Sequence, residues 1–530
     1  MMGRRRAPAG PEVWAVCRDM IPAGSVFAFL AEHRRALFPP EAFADMYAPV
    51  NGRPSVPPSL LATVVVLQAL HGLSDEEAVA ALRFDLRWKA ACGLGLYDQG
   101  FDPSLLTYFR RRLARSPDPD RIFQAARTVV EQTGVLAGRT RRALDSAVLL
   151  DAVATQDTIT QLIAAIRRGA RQVPGASVLV AAHCHAHDYT DLGKPKIAWD
   201  DEQAKNALVS GLVTDALTLL DQLAGQDLDE PAAGAVGLLA LIAGQDVEPA
   251  DASDGTDGRW RIARRTARRT APDRIISTVD AQARHIHKSG RQRDDGYKAH
   301  LAVEPETGLF TAVALRPGAG AAHHEAAVTP GLLAAERGVL QILADAAYAA
   351  AELRATLTDA GHRLLIKPPA LKPAVPGGFT LDDFVIDTGV GTVTYPAGHT
   401  IPLAATGGLY QQRRATFTGL CAACPLRDRC TTAKTGRVVT IRPHHDLQAA
   451  ARHQAATDPA WQEDYRRWRP MVERAVAWLV ARGNRRLRYR GAYANDRWLH
   501  HRAAALNLRR LINLGLTHTS GIWTLKPITT

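Results

Sequence analysis

The stretch from Val339 to Tyr348, VLQILADAAY, constrains this chain most. An apolar run of strand length ends on an acid, Asp345, and small residues and an aromatic then lead into AAAELRATLTDAG. Gly361 stands where a helix C-cap belongs, and HRLLIKP (His362 to Pro368) reads as a second short buried strand. Strand–helix–strand units build parallel sheets. A carboxylate at the C-terminal end of a buried strand sits where open α/β sheets place their ligands. Asp345 can equally serve as the N-cap of the next helix.

Two other stretches supply acids. RRALDSAVLLDAVATQDT (Arg141 to Thr158) suits a strand, with Asp145 and Asp151 six apart and so on one face. Asp145 lies inside the apolar run and is the preferred acid, with Asp151 as the fallback. YKAHLAVEPETGLFTAVALRP (Tyr297 to Pro317) reads as a hairpin turning at Gly308. After Asp458-Pro459 comes a helix that Pro470 kinks or restarts. Glu473 shares a face with Val476, Ala477 and Val480, which sets an acid on an apolar stripe; the alternative is a pair with Arg469, one turn earlier. Asp145, Asp345 and Glu473 are hard oxygen donors suited to Mg2+ or Mn2+. Two such ions about 4 Å apart clamp the attacking and leaving oxygens of a phosphodiester displacement.

Charge points to the partner. Lys and Arg number 65 against 53 Asp and Glu, a formal +12, and the pI is near 9.6. Such a balance favours a polyanion, most simply nucleic acid. Residues 1 to about 125 read as helical. Ser59 to His71 is apolar and stops at Gly72, Ser74 and Glu77 form a capping box for a helix to about Ala91, and Asp102-Pro103 opens a third helix bearing Arg110, Arg111 and Arg112. Short helices with a basic third member fit helix-turn-helix geometry, or else a small bundle with a solvated arginine cluster. Arginines recur at Arg259, Arg261, Arg264, Arg265, Arg268 and Arg269, and again at Arg485, Arg486, Arg488 and Arg490 among Tyr489 and Tyr493. Both runs are candidate phosphate contacts.

Cys421, Cys424 and Cys430, in C-x2-C-x5-C spacing, offer three thiolates to a structural Zn2+, with His399, His444 or His445 as the fourth ligand; reduced thiols are the alternative. Cys17, Cys92 and Cys184 stand alone and read as reduced cytosolic thiols. No run approaches about 18 apolar residues, so no membrane span is expected. The basic N-terminus has no long apolar core behind it, so no signal peptide is expected either.

Taken together, RPSVPPSLLATVVVLQALHGLSDEEAVAALRFDLRWKAACGL, LDSAVLLDAVATQDT, DGYKAHLAVEPETGL, LADAAY, CAACPLRDRC, RPMVERAVAWL, RYRGAYAND and LNLRRL resemble the bacterial insertion-sequence DDE transposases, in the branch with a cysteine-bearing insertion before the catalytic Glu. The resemblance implies an α/β catalytic core, a ribonuclease-H-like mixed sheet with flanking helices. It implies an all-α N-terminal DNA-binding domain over residues 1–125, the first part of the core over 136–368 with a helical and basic insertion at about 160–270, an irregular β and cysteine-bearing insertion over 369–445, and the last part of the core over 446–530. It implies that Asp145, Asp345 and Glu473 bind two divalent ions, cut double-stranded DNA at inverted-repeat ends and join the freed 3′-hydroxyls to target DNA, from a homodimer assembled on DNA, in the cytoplasm and at the nucleoid. A non-enzymatic protein that only binds element ends is the alternative. The chain departs from the pattern in places. The first acid is followed by Ser146-Ala147, Tyr395-Pro396 stands where a Cys-Pro pair is usual, Tyr465 is one residue early, and Val480 replaces a lysine. Contacts to the cleaved end therefore carry over only at Arg469.

Overall fold

The apolar run at Arg141–Leu150 forms the central strand, β1, in the computed structural model, which describes residues 1–3, 7–48, 54–263, 274–287 and 293–526. Its sheet continues with β2 (Arg284–His287), β3 (Arg293–Glu304), β4 (Leu309–Pro317), β5 (Gln341–Ala344) and β6 (Arg363–Ile366). β3 runs antiparallel to β1 and takes β4 and β2 along its other side, while β5 and then β6 lie parallel to β1. A mixed sheet with flanking helices agrees with the ribonuclease-H-like expectation. The β3–β4 turn closes at Gly308, whose φ of +74° costs a residue without Cβ nothing. Between β5 and β6 the chain makes one 3-10 turn and then α12 (Ala351–Asp359), with Gly361 left-handed after it.

The N-terminal helices are α1 (Val26–Leu37), α2 (Pro58–His71), α3 (Asp75–Phe84), α4 (Leu86–Cys92), α5 (Ser104–Arg115) and α6 (Arg121–Thr133). α2 is buried on nearly every side and ends at Gly72, and Ser74 and Glu77 make the expected reciprocal cap of α3. The helix expected to run to Ala91 is instead broken at Asp85, which turns extended and accepts the Arg87 N–H to cap α4. Helices α7 (Thr158–Gln172), α8 (Ala176–His183), α9 (Glu202–Gln222) and α10 (Glu230–Gln245) fill the expected helical stretch and enclose an apolar core of their own. α11 (Glu325–Leu333) and α12 cover one face of the sheet.

The other face is covered by α14 (Pro459–Val480), which follows α13 (His445–Thr457), and by α15 (Ala492–Asn513). α14 does not restart at Pro470; it runs through, anchored on either side of the proline by buried Arg469 and Val472. α15 joins the two ends of the chain. One continuous apolar core runs from α1–α6 through α15 to the sheet, so the N-terminal helices are not packed apart from it. Asn507 brackets the Phe310 backbone with two 2.8 Å bonds, and Asp496 accepts the Leu315 N–H at 2.7 Å. These side chains pair the outer side of β4, an edge that would otherwise stay open. Arg502, 1% exposed, donates to Ala69 and Leu70 at the end of α2 and to Trp478 and Leu479 in the last turn of α14. Among the described residues no helix is long and apolar enough to cross a membrane.

Acid should loosen this core. Burial pushes His501 of α15 down from 6.5 to about 3, with Arg110 and His500 adding to the fall. The unfolded chain therefore binds a proton that the folded chain refuses as pH drops below 6.5. Stability is full above 6.5 and falls by about 1.4 kcal/mol per pH unit for this histidine down toward its folded value. Denaturation midpoints should fall between pH 6.5 and 4, and His501→Gln should flatten that slope; an equal slope in the variant would assign the acid sensitivity to other groups.

Candidate active site

Parallel pairing aligns the two aspartates. β1 and β5 pair Arg141 with Gln341, Arg142 with Ile342 and Ala143 with Leu343. The same register carried two residues further sets Asp145 beside Asp345, on strands that lie about 4.8 Å apart in a sheet. The pairing has ended by then, and α14 sends Arg469 to the point where the strands part. Its Nη2 lies 3.0 Å from Asp145 Oδ2 and 3.7 Å from Asp345 Oδ2, and its Nη1 donates to the Leu144 carbonyl at 3.3 Å.

Each aspartate has one oxygen tied by backbone. Asp145 Oδ1 accepts the Ser146 N–H at 2.8 Å, and Asp345 Oδ1 accepts the Ala347 N–H at 2.9 Å. Asp345 is thus the cap of its 3-10 turn, and it also turns its second oxygen to the site. The Asp145 side chain is 15% exposed and that of Asp345 44%. Burial pushes the Asp145 carboxyl above its ordinary value against the pull of Arg469 and the Ser146 N–H, and Asp345 adds to the rise. Burial also opposes the charge of Arg469, but Asp145, Tyr465 and Asp345 leave it raised. Two carboxylates are thus held on one cation, the first of them largely out of water.

Glu473 stands differently. The buried stripe of α14 is Val472, Ala475 and Leu479, one position off the stripe expected from the sequence, and Glu473 is exposed. The alternative pairing fails as well, since Arg469 faces Asp145 and Asp345. Glu473 lies one turn beyond Arg469 on the same helix, close enough to act on Tyr465 electrostatically. Among the described residues no three His, Cys, Asp or Glu side chains are arranged to hold an ion, so the three acids do not form a closed ligand set. The aspartate pair fits a cation, because it already shares one. Asp151 stays outside: it follows the end of β1, about 20 Å along the strand from Asp145.

The opposite face of β1 carries a group the sequence did not single out. Ser146 Oγ and Lys298 Nζ both donate to Glu325 Oε1, each at 2.8 Å. Burial pushes Glu325 up, and the bonds from Lys298 and Ser146 more than offset it. Glu325 opens α11 and Lys298 lies on β3, so this triad fixes β1 from behind while Asp145 faces forward. The hairpin that carries Lys298 was legible; the helix that opens at Glu325, and that its acid and the lysine meet on Ser146, were not.

The arginines divide. Arg110 is half-buried, paired with Asp75 and stacked on Tyr489, so it braces α5 against α3 and the Tyr489 segment. Arg111 and Arg112 are exposed and lie over Tyr108 and Tyr47. Arg485, Arg486 and Arg488 are exposed on a segment that docks at the end of β1, where Arg486 bridges to Leu150. Arg259 and Arg261 pair with Asp257 and with Glu248 and Asp251. Arg264, Arg265, Arg268 and Arg269 lie outside the described residues.

Cys421, Cys424 and Cys430 meet at one small cavity whose other walls include Tyr395, Phe417, Arg427 and Arg437. The Tyr395 hydroxyl lies 2.8 Å from Cys424 Sγ, and the backbone N–H groups of Arg437 and Leu426 donate to Cys421 and Cys424. His399 stacks on Tyr395, and neither it nor His444 nor His445 lines the cavity. Three thiols with a phenol and two guanidinium groups do not make up a tetrahedral zinc set, and among the described residues no fourth His, Cys, Asp or Glu ligand joins them.

Two family models match the chain. Residues 16–112 match the Transposase domain (DUF772), and residues 394–512 match the Transposase DDE domain. The first covers α1–α4 and most of α5; the second covers most of the cysteine-bearing segment, Arg469, Glu473 and nearly all of α15. Asp145 and Asp345 fall between them. No curated protein and no solved structure matches the chain significantly.

Proposed function

We propose that this chain, an insertion-sequence DDE transposase by its two matched segments, cuts DNA at the ends of its element and joins the freed ends to target DNA. The observation that carries the chemistry is the pair Asp145 and Asp345, aligned by parallel register and bridged by Arg469 from the segment that matches the DDE domain. Asp145, Asp345 and Glu473 would hold the divalent ions, which supply activation of the attacking oxygen and charge stabilisation on the leaving one. In the first step water attacks the end phosphodiester and leaves a 3′-hydroxyl; in the second that hydroxyl attacks a target phosphodiester and releases a target 3′-hydroxyl.

The chain's own residues divide the remaining work. Ser146, Lys298 and Glu325 hold β1 so that Asp145 faces the reacting phosphate. Arg469 orients that phosphate by its planar fork. Arg485, Arg486 and Arg488 hold the duplex by its backbone, with no reading of sequence. The test is incubation of the full chain with Mg2+ and a duplex carrying the DNA that flanks its gene. A nick with a 3′-hydroxyl at an inverted repeat supports the reading, and tight binding with no nick under Mg2+ or Mn2+ overturns it.

A narrower prediction concerns Arg486. Replacing it by Gln should weaken binding to every duplex alike and reduce the slope of log affinity against log salt by about one. An unchanged slope would remove Arg486 from the DNA surface.

A further inference from the structure

We infer that Arg469 is an internal counter-cation that divalent ions must displace, and that DNA phosphate draws it away, so that ion binding and DNA binding are coupled through this one side chain. The inference rests on the catalytic reading above and adds to it the order in which the site is filled.

Three observations carry it. First, Arg469 holds the position that an ion shared by the two aspartates needs. Its Nη2 reaches both inward oxygens, Asp145 Oδ2 and Asp345 Oδ2. A cation bound to the same oxygens would lie within a few ångströms of the guanidinium, and like charges that close repel strongly where Arg469 and Asp145 are largely out of water. Arg469 is 9% exposed, so salt screens the pair little.

Second, the same side chain lines an open groove beside the site. That groove holds about 680 Å³ between the chain after β6, α13 and α14, with Lys367, Tyr465 and Arg466 along it. No Asp or Glu lines it. Lys367 and Arg466 are exposed, and among the described residues Arg466 pairs with the exposed Glu463. The groove's walls are largely apolar, with Trp461 and Pro470 among them, but its charged groups are all cations; Arg452 is paired with Asp382, and the occupant that suits Lys367, Arg466 and Arg469 is the phosphate backbone of DNA.

Third, the rest of the hold on Arg469 is slight: one 3.3 Å contact to the Leu144 carbonyl and a bond to the hydroxyl of Tyr465, itself a residue of the groove. A phosphate offers the planar fork two parallel bonds, a better partner than two single contacts to separate carboxylates. When the fork turns to phosphate, the aspartates lose their counter-charge and their affinity for a divalent ion rises. Linkage makes the effect reciprocal: the ion strengthens DNA binding by the same factor.

The test reads Mn2+ binding to the full chain by electron paramagnetic resonance of the free ion, with and without a saturating duplex of arbitrary sequence. Asp145→Asn under the same conditions serves as the blank for Mn2+ bound to DNA or elsewhere. Wild type should bind Mn2+ about tenfold more tightly with the duplex than without, within the usual range of coupling between sites. Arg469→Met, which keeps the stem and removes the charge, should bind Mn2+ about tenfold more tightly than wild type without DNA, and the duplex should then change nothing. Because that variant leaves a buried carboxylate uncompensated, its fold is checked by circular dichroism; the wild-type arm stands without it. No effect of the duplex on wild type overturns the coupling, and an effect that persists in Arg469→Met overturns the role of Arg469. In both cases loss of the site in Asp145→Asn leaves the catalytic reading standing. Equal Mn2+ binding by Asp145→Asn and wild type under every condition overturns the two-aspartate site itself.

Discussion

Asp145→Asn should abolish end cleavage while leaving DNA binding at least as strong as in wild type. Asn keeps the shape and can still accept the Ser146 N–H that Asp145 holds at 2.8 Å. It removes one of the two charges that converge on Arg469. An oxygen ligand lost from a two-ion centre, or its charge neutralised, withdraws several kcal/mol from the transition state, about 10²–10⁴-fold in rate. Binding persists because phosphate contacts lie on other residues, and a carboxylate lost near phosphates removes repulsion. Glu473→Gln makes the complementary case. Glu473 is exposed, so the substitution should leave stability within about 0.5 kcal/mol of wild type. If Glu473 closes the ligand set when DNA and ions are present, cleavage falls as far as in Asp145→Asn. Single-turnover nicking of one end fragment by all three proteins decides. Cleavage by Glu473→Gln within threefold of wild type moves the third acid to another residue, and the same result for Asp145→Asn rejects the aspartate pair.

Arg502→Met should be the most destabilising single change outside the site. Arg502 donates to Ala69 and Leu70 at 2.6 and 2.7 Å and to Trp478 and Leu479 at 2.6 and 3.1 Å. These carbonyls belong to the last turns of two helices, whose acceptors have no partner further along their own helix. Burial pushes Arg502 down to about 9, so it remains charged at neutral pH. Met fills similar space without a donor and leaves several buried acceptors unpaired, at about 1–3 kcal/mol each where nothing relaxes. A net loss of about 3–5 kcal/mol is expected, a large part of the stability of an ordinary domain. Arg502→Lys should recover part of it, since one ammonium reaches fewer carbonyls than the fork. Denaturant midpoints of the three proteins measure the effect, and a loss below about 1 kcal/mol would show that α2 and α14 cap themselves by other means.

Local pattern carried much of the fold into view. The apolar run around Asp145, the turn at Gly308, the capping box at Ser74 and the unit from β5 to β6 each follow from residues close together along the chain, the longest of them running from Gln341 to Ile366. What the sequence hid lies between distant positions. The reach of Arg469 to Asp145, of Glu325 to Ser146 and of Arg502 to Leu70 has no periodicity to betray it, because each joins elements adjacent only in the folded sheet and bundle. The stripe assigned to Glu473 failed for a different reason. A one-residue shift rotates a helix face by about 100°, and α14 buries Val472, Ala475 and Leu479, leaving Val476 and Val480 half-buried at the margin and Glu473 outside. Arg110 shows the same limit: in sequence it belongs to a run of three arginines, and in space it belongs to Asp75.

The seam between α2 and α15 has a consequence for synthesis. Leu70 and Arg502 are 432 residues apart, and the ribosome adds roughly 5–20 residues per second, so α2 leaves the tunnel about 20–90 s before its last partner exists. Throughout that interval one side of a helix with hardly a polar residue lacks the surface built to cover it. A chain stopped early, by a frameshift or a premature stop codon before α15, would keep that surface exposed and would be a substrate for chaperones and proteases before it could bind DNA. The same seam means that the fold closes over α2 only after the ribosome has read through α15.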